Sequence, residues 1–354
     1  MTFEYSRGEL QIPPNYILES PHGFRYRIIK KLGAGNFGIV YQAFEISDPS
    51  NPQARAIKVT KSDPRYHQQA LLEIQILQRL MEKTSDDEKQ NISILFDVFD
   101  YNGHLCIVME LLSWDLYTVL KKRNYIGIPV TLVQSVAKNL LKVLIALKRC
   151  EIIHCDIKPE NVLLVDGVSP YVKLIDYGSS QYVTHQQRFY IQSRYYRAPE
   201  VILGINHSYQ IDIWSFGCLL FELFTGIPLF PGQNEFQMLQ FIERYIGRFP
   251  EKVLNISPKA SQYFCENGKL MSTSSYYKNI QPPREIICFQ YDNIKEIVLR
   301  YAYEQGKTQE EKMKEKERRL IFIDFLEQLL KIDPNERITP EEALSHKFIV
   351  SDLS

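Results

Sequence analysis

The chain has 354 residues, 45% hydrophobic and 12% aromatic, which is enough for more than one packed lobe and too apolar for a disordered polypeptide. Lys plus Arg and Asp plus Glu both number 42, so no net field argues for direct nucleic-acid binding or for attraction to an anionic membrane. Six cysteines without Cys-x-x-Cys spacing point to reduced thiols inside the cell, cytoplasmic, nuclear or both. Glu4, Arg7 and Glu9 interrupt any signal-like segment, and no later apolar run is expected to reach the roughly 18 residues that a bilayer demands.

Residues 1–25 show no sustained period and are expected to be an extended arm laid over the first lobe. A strand from Arg25 leads into Leu32-Gly33-Ala34-Gly35-Asn36-Phe37-Gly38-Ile39-Val40, a Gly-x-Gly-x-x-Gly-x-Val whose backbone N–H groups can close over phosphates. Dinucleotide-binding folds place a helix after such glycines, whereas Ile39–Phe44 has the look of a second strand. Ala54-Arg55-Ala56-Ile57-Lys58-Val59 reads as a third strand, with Lys58 placed to reach phosphates. Ser62 or Asp63 can cap a helix with Pro64 in its first turn and Ala70, Leu71, Ile74, Leu77 and Met81 on its apolar stripe; Glu73 sits mid-helix beside that stripe as the partner for Lys58. Strands are expected over Ile92–Tyr101 and His104–Met109. They end in Glu110-Leu111-Leu112, a link between lobes where Met109 borders a base pocket and backbone groups near Glu110 and Leu112 meet the base edge.

An amphipathic helix over Thr131–Arg149 delivers the chain to His154-Cys155-Asp156-Ile157-Lys158-Pro159-Glu160-Asn161. A hairpin of Val162–Val165 and Val172–Ile175 then leads to Asp176-Tyr177-Gly178. Phosphoryl transfer asks mainly that metal, phosphates and acceptor hydroxyl be held in line. In this pattern Asp156 accepts the hydroxyl proton, Lys158 steadies the moving group, and Asn161 and Asp176 hold magnesium. Tyr209–Thr225 is apolar nearly all round and stops at Gly226, as a buried helix would. Asp212 near its start must then be satisfied by backbone N–H groups, and the catalytic loop is the expected donor. Periodicity fades over about 255–318, and the charge run Lys307–Arg319 is expected to be a solvated helical face. Leu320–Leu330 reads as helix, and Thr339-Pro340-Glu341-Glu342 caps a last helix over Pro340–Lys347.

Taken together, Gly33, Gly35, Gly38, Lys58, Glu73, Asp156, Asn161, Asp176 and Ala198-Pro199-Glu200 resemble the eukaryotic protein kinase superfamily over residues 26–349. The stretch Phe189-Tyr190-Ile191-Gln192-Ser193-Arg194-Tyr195-Tyr196-Arg197-Ala198-Pro199-Glu200 is similar to the activation segment of the dual-specificity tyrosine-regulated kinases, as are His154-Cys155-Asp156 and Gly178-Ser179-Ser180. The resemblance implies an α+β bilobal fold, with a small β-rich N-lobe over 26–111 and a larger helical C-lobe over 112–349, the tail being 350–354. It implies ATP and Mg2+ as cofactors, ATP lying among Leu32, Gly33, Ala34, Gly35, Gly38, Val40, Ala56, Lys58, Met109, Glu110, Leu112 and Leu163. It further implies serine/threonine phosphorylation of protein substrates, proline-directed, with autophosphorylation of Tyr190; Arg194 and Arg197, four and seven residues on, can converge on that phosphate, and a monomer is expected, the sequence itself leaving the oligomeric state open. His154, Asp212, Glu200 and Arg337 are structural supports. Three departures stand out: Arg188 replaces the first tyrosine of the pair, Tyr177 stands where the motif has phenylalanine, and Thr118 stands where the family has an acidic residue. Homeodomain-interacting and pre-mRNA-processing kinases, and a catalytically silent scaffold, are the competing readings.

Overall fold

The structure is a computed structural model that describes residues 4–6, 8–35, 37–184, 191–278, 281–284, 289–302 and 306–352. Its first lobe is built on strands β1 (Glu4–Ser6), β2 (Glu9–Gln11), β3 (Ile17–Glu19), β4 (Arg25–Gly35), β5 (Gly38–Glu45), β6 (Gln53–Thr60), β7 (Leu95–Tyr101) and β8 (His104–Glu110), with helices α1 (Pro64–Lys83) and α2 (Asp86–Lys89) between β6 and β7. Six strands form one antiparallel sheet in the order β3-β4-β5-β6-β8-β7. Alternation divides it: Ile39, Tyr41, Ile57, Val59 and Val108 point to one face and join Tyr26 and Ile28 in a core. Ile107 lies on the other face, where it packs with Ala70 and Ile74 of α1. Part of the expected N-terminal arm is built into this lobe, since β3 pairs with β4 and Leu10, Ile12 and Leu18 are buried.

Helix α1 starts where the sequence predicts, with Asp63 accepting the Arg65 N–H at 2.9 Å and Pro64 in the first turn. Its stripe is rotated slightly from the expected one. Leu71 is 42% exposed, while Ile76 and Leu80 turn inward beside Ile74 and Leu77, and the charged Glu73 is buried on the same side. The strand expected from Ile92 begins only at Leu95. Residues 91–94 run instead beside the strand that precedes Asp176, with Ile92 bridging Leu174.

The second lobe contains α3 (Leu116–Lys122), α4 (Val130–Arg149), short strands β9 (Ile152–Ile153), β10 (Val162–Leu164), β11 (Val172–Leu174) and β12 (Gln181–Tyr182), and helices α5 (Pro199–Ile202), α6 (Gln210–Thr225), α7 (Glu235–Tyr245), α8 (Glu251–Asn255), α9 (Ala260–Tyr263), α10 (Thr273–Tyr277), α11 (Ile294–Arg300), α12 (Gln309–Leu329), α13 (Pro340–Leu344) and α14 (Lys347–Val350). Helix α6 is buried along its whole length and ends at Gly226, where φ is +84° and a Cβ would stand 1.9 Å from the Tyr125 carbonyl oxygen. Contrary to the sequence expectation, α4 is long and apolar enough by length and composition to cross a membrane. Its Val133, Val136, Leu140, Leu144 and Leu147 pack into the C-lobe core.

The charge run is the larger correction. It opens α12 with a Thr308–Glu311 capping box, but Glu315 and Arg319 are buried rather than solvated. Arg319 Nη1 donates to the carbonyl oxygens of Tyr301 at 2.6 Å and Val298 at 3.1 Å, so it satisfies acceptors at the C-terminal end of α11. The Thr339 capping box forms as expected, but the helix after it stops at Leu344 and the chain resumes as α14.

Candidate active site

Sheet register builds the upper wall of a cleft. Val40 lies opposite Lys58 across β5 and β6, and Ala56 lies opposite Met109 across β6 and β8, so the period of two puts Val40, Ala56, Lys58 and Met109 on one face. The β4–β5 hairpin overhangs it through Leu32, Gly33, Ala34 and Gly35, all exposed, with Leu32 at 46%. Gly38 closes this hairpin against β6, where a Cβ would fall 2.1 Å from the Val59 carbonyl oxygen, so no side chain is tolerated. Half-buried Leu163 on β10 belongs to the lower lobe, and the half-buried Glu110 and Leu112 to the link between the lobes.

Behind that wall three charges converge. Lys58 Nζ donates to Glu73 Oε2 at 2.8 Å and Oε1 at 3.1 Å, and to Asp176 Oδ1 at 3.0 Å. Burial alone would lower the Lys58 pKa, but the Glu73 and Asp176 carboxylates outweigh it and hold the ammonium above its ordinary range. Burial lifts Glu73 above the usual carboxylate range, against the pull of Lys58. For Asp176 burial also pushes upward, but Lys58 prevails and keeps it below that range. Asp176 sits at φ +61°, a left-handed conformation that a non-glycine residue holds only when its surroundings impose it. Gln69 of α1 donates to the Gly178 carbonyl oxygen and so fixes the next turn. Tyr177 fills the apolar slot, its ring edge-on to His154 with centroids 5.1 Å apart, and its hydroxyl donates to the Leu174 carbonyl oxygen at 3.4 Å.

The catalytic loop is held from below. Asp212 accepts the His154 N–H at 2.7 Å and the Cys155 N–H at 3.0 Å, the bracing that its position on α6 predicted. Cys155 has φ +66°, so these bonds support a strained turn just before Asp156. His154 Nδ1 accepts the Asp156 N–H at 3.2 Å and its Nε2 lies 3.1 Å from the Ile175 carbonyl oxygen. Burial lowers its pKa, which fits the neutral tautomer protonated on Nε2. Asp156 Oδ2 accepts Lys158 Nζ at 2.7 Å and Asn161 Nδ2 at 3.0 Å, and Oδ1 accepts the Ser193 hydroxyl at 2.7 Å. Lys158 Nζ also donates to Ser193 Oγ at 3.1 Å. Asn161 Nδ2 further donates to the Asp156 carbonyl oxygen at 2.8 Å.

Downstream, Gln192 takes a left-handed φ of +65°, and its amide donates to Ile211 O and Ser215 Oγ while accepting the Ala198 N–H. Buried Arg197 donates through Nε to the Ile191 carbonyl oxygen at 3.0 Å and through Nη2 to that of Gln192 at 2.9 Å. Its Nη1 lies 3.4 Å from Glu235. Arg194 opens the following single turn, and Tyr190, the residue both arginines were expected to clamp, lies outside the described residues. Glu200 and Arg337 form a fully buried bidentate pair at 2.7 and 3.1 Å.

Sequence reasoning assigned no role to Ser193, Gln192, Gln69 or Lys173. Only Lys173 carried a signal of its own, a lone cation inside the apolar run Val172–Ile175.

These elements define a phosphoryl-transfer cleft, and the family model for the protein kinase domain matches residues 26–349: the chain belongs to the protein kinase family. Among its relatives, serine/threonine-protein kinase ppk15 of Schizosaccharomyces pombe is 39% identical over 346 residues, covering 95% of this chain and 64% of that protein. Serine/threonine-protein kinase ppk5 of the same yeast is 40% identical over 331 residues, covering 94% of this chain and 36% of the relative. Dual specificity tyrosine-phosphorylation-regulated kinase 2 of Drosophila melanogaster is 37% identical over 343 residues, covering 96% and 44%. The type named in this last relative is the one that residues 189–200 resemble. The chain thus spans between about a third and two thirds of the length of these curated relatives.

Proposed function

We propose that this chain is an ATP-dependent protein kinase that phosphorylates serine or threonine in protein substrates, next to proline, and modifies its own Tyr190. The observation that carries this is the Asp156 carboxylate, oriented by Lys158, Asn161 and Ser193, in the same cleft as the Lys58–Glu73–Asp176 cluster. A substrate hydroxyl attacks the γ-phosphorus, the bond to ADP breaks, and Asp156 takes the hydroxyl proton. In this reading Lys158, paired with Asp156, steadies the transferred group, and Lys58, fixed by Glu73, takes the α- and β-phosphates. Asn161 and Asp176 carry hard oxygen donors that would hold Mg2+, which when bound would neutralise charge on the phosphates.

Arg197 supports the proline preference. Its Nη2 donates to the Gln192 carbonyl oxygen at 2.9 Å, which weakens that oxygen as an acceptor for the residue after the target, so a proline, which lacks N–H, loses little there. The free thiols of Cys106, Cys150, Cys155, Cys218 and Cys265 accord with an intracellular setting.

The test is magnesium-dependent transfer from ATP to paired peptides that carry proline or alanine after the acceptor, with mass spectrometry of the enzyme itself. We expect turnover of the proline peptide, little of the alanine peptide, and phosphate on Tyr190 of recombinant protein. Absence of transfer to any protein or peptide would overturn the reading.

A further inference from the structure

Lys173 is buried on β11, three residues before Asp176, and among the described residues its charge meets one partner, Glu110 at the end of β8. Lys173 Nζ lies 2.6 Å from Glu110 Oε1, with side-chain exposures of 6% and 18%. That same oxygen accepts the Ile94 N–H at 2.8 Å, and the Glu110 N–H donates back to the Ile94 carbonyl oxygen at 3.2 Å. The adjoining residues complete the junction. Asn91 Nδ2 donates to the Val172 carbonyl oxygen at 2.9 Å, and the Leu174 N–H donates to the Asn91 carbonyl oxygen at 3.1 Å. Residues 91–94 are therefore bonded at one end to the strand that precedes Asp176 and at the other to the interlobe link.

We propose that the Glu110–Lys173 pair is a positioning pair that sets the span between the adenine-binding link and the metal-binding Asp176. The inference rests on the kinase reading and deepens it. A nucleotide must reach from backbone groups near Glu110 to Asp176, so its affinity depends on how rigidly that span is held before it arrives. Glu110 clips its own peptide to Ile94 through both backbone and side chain. Lys173 is the charged partner of this carboxylate in a mostly buried place, 2.6 Å away, and it anchors the clip to β11. Lys58 does nothing comparable for the base, since it faces the phosphates and its partners are Glu73 and Asp176.

Calorimetric binding of adenosine and of a non-hydrolysable ATP analogue to wild type, Lys173→Met and the double variant Lys173→Met/Glu110→Gln tests this, with melting temperatures measured alongside. Lys173→Met is expected to weaken both ligands by the same factor, roughly five- to tenfold, because the loss acts through the base and not through the phosphates. In the double variant the side chain at position 110 is a neutral amide that can still accept the Ile94 N–H, so the melting temperature should return toward wild type while the affinities stay low. Unchanged affinity in Lys173→Met, or a double variant that regains affinity together with stability, would overturn the positioning role. If the single variant does not fold, the double variant decides in the same terms. A wild type that binds neither ligand would instead count against the kinase reading itself.

Discussion

The Ser193 hydroxyl lies 2.7 Å from Asp156 Oδ1 and receives a hydrogen bond from Lys158 Nζ at 3.1 Å, so the residue seventeen positions beyond Asp176 completes the hydrogen-bond shell of the carboxylate proposed as the base. A hydrogen bond to a charged group contributes roughly 1.5–3 kcal/mol, and in this open cleft the lower end applies. Ser193→Ala is expected to lower kcat about tenfold, equivalent to about 1.4 kcal/mol of barrier, with KM for ATP within about twofold and with Ser193→Thr largely restoring the rate. Steady-state kinetics decide. An unchanged kcat would mean that Ser193 is only a loop contact.

Asp212 gives a pH prediction. Burial pushes its carboxyl up to about 7, against the two backbone N–H bonds from His154 and Cys155 that pull it down. Its folded pKa therefore exceeds the roughly 3.9 of an unfolded chain. The group's stabilising contribution is present below that value and is lost as pH rises through about 7. The Asp212→Asn variant should lose this part of the dependence of melting temperature on pH between 4 and 8. It should also lose more than about tenfold in kcat, because an amide nitrogen facing a backbone N–H cannot brace the strained Cys155. Parallel melting curves for the two proteins at several pH values are the check.

Glu200 and Arg337 have no exposed side-chain surface, and Arg337 also donates to the Gln210 and Lys331 carbonyl oxygens. Removing one partner of a buried pair costs about 3–5 kcal/mol, a large fraction of the roughly 5–15 kcal/mol that holds a domain folded, so Arg337→Ala should be recovered poorly in soluble form. Denaturant unfolding of Arg337→Lys, which keeps the charge but not the bidentate geometry, should give an intermediate loss.

Beside Lys158 and Ser193 a cavity of about 680 Å³ is lined by Tyr117, Tyr125, Glu160 and Glu222. Burial, helped by the neighbouring Glu160 carboxylate, pushes the buried Glu222 up to about 7, an arrangement that a substrate cation would relieve. Glu160→Gln should raise KM several-fold for peptides with arginine near the target and leave KM for ATP unchanged. Equal KM values for basic and neutral peptides in the wild type would contradict it.

Much of this site is legible in the sequence because its chemistry demands fixed residue types at fixed spacing. Lys58, Glu73, Asp156, Asn161 and Asp176 are each identified that way, and even Asp212 is, since a carboxylate on an otherwise apolar helix must find donors. What escapes is decided by contacts between distant segments. Arg319 looks like surface charge until α11 presents its carbonyl oxygens to it, with Glu315 as its buried ion-pair partner, and Lys173 looks like a strand lysine until Glu110 arrives from sixty-three residues away. Leu71 shows the same limit in reverse: helical period alone cannot say which edge of an apolar stripe the neighbouring strand leaves uncovered.

Turnover of Asp156→Asn with saturating ATP and a protein substrate, set beside wild type and with nucleotide binding measured for both, probes the catalytic assignment at its root. We expect a fall in kcat of about 10²–10⁴, the share a positioned base supplies, with ATP affinity within about twofold. A variant that keeps more than about a tenth of wild-type turnover would contradict the assignment, because Asp156 would then not be the group that receives the proton.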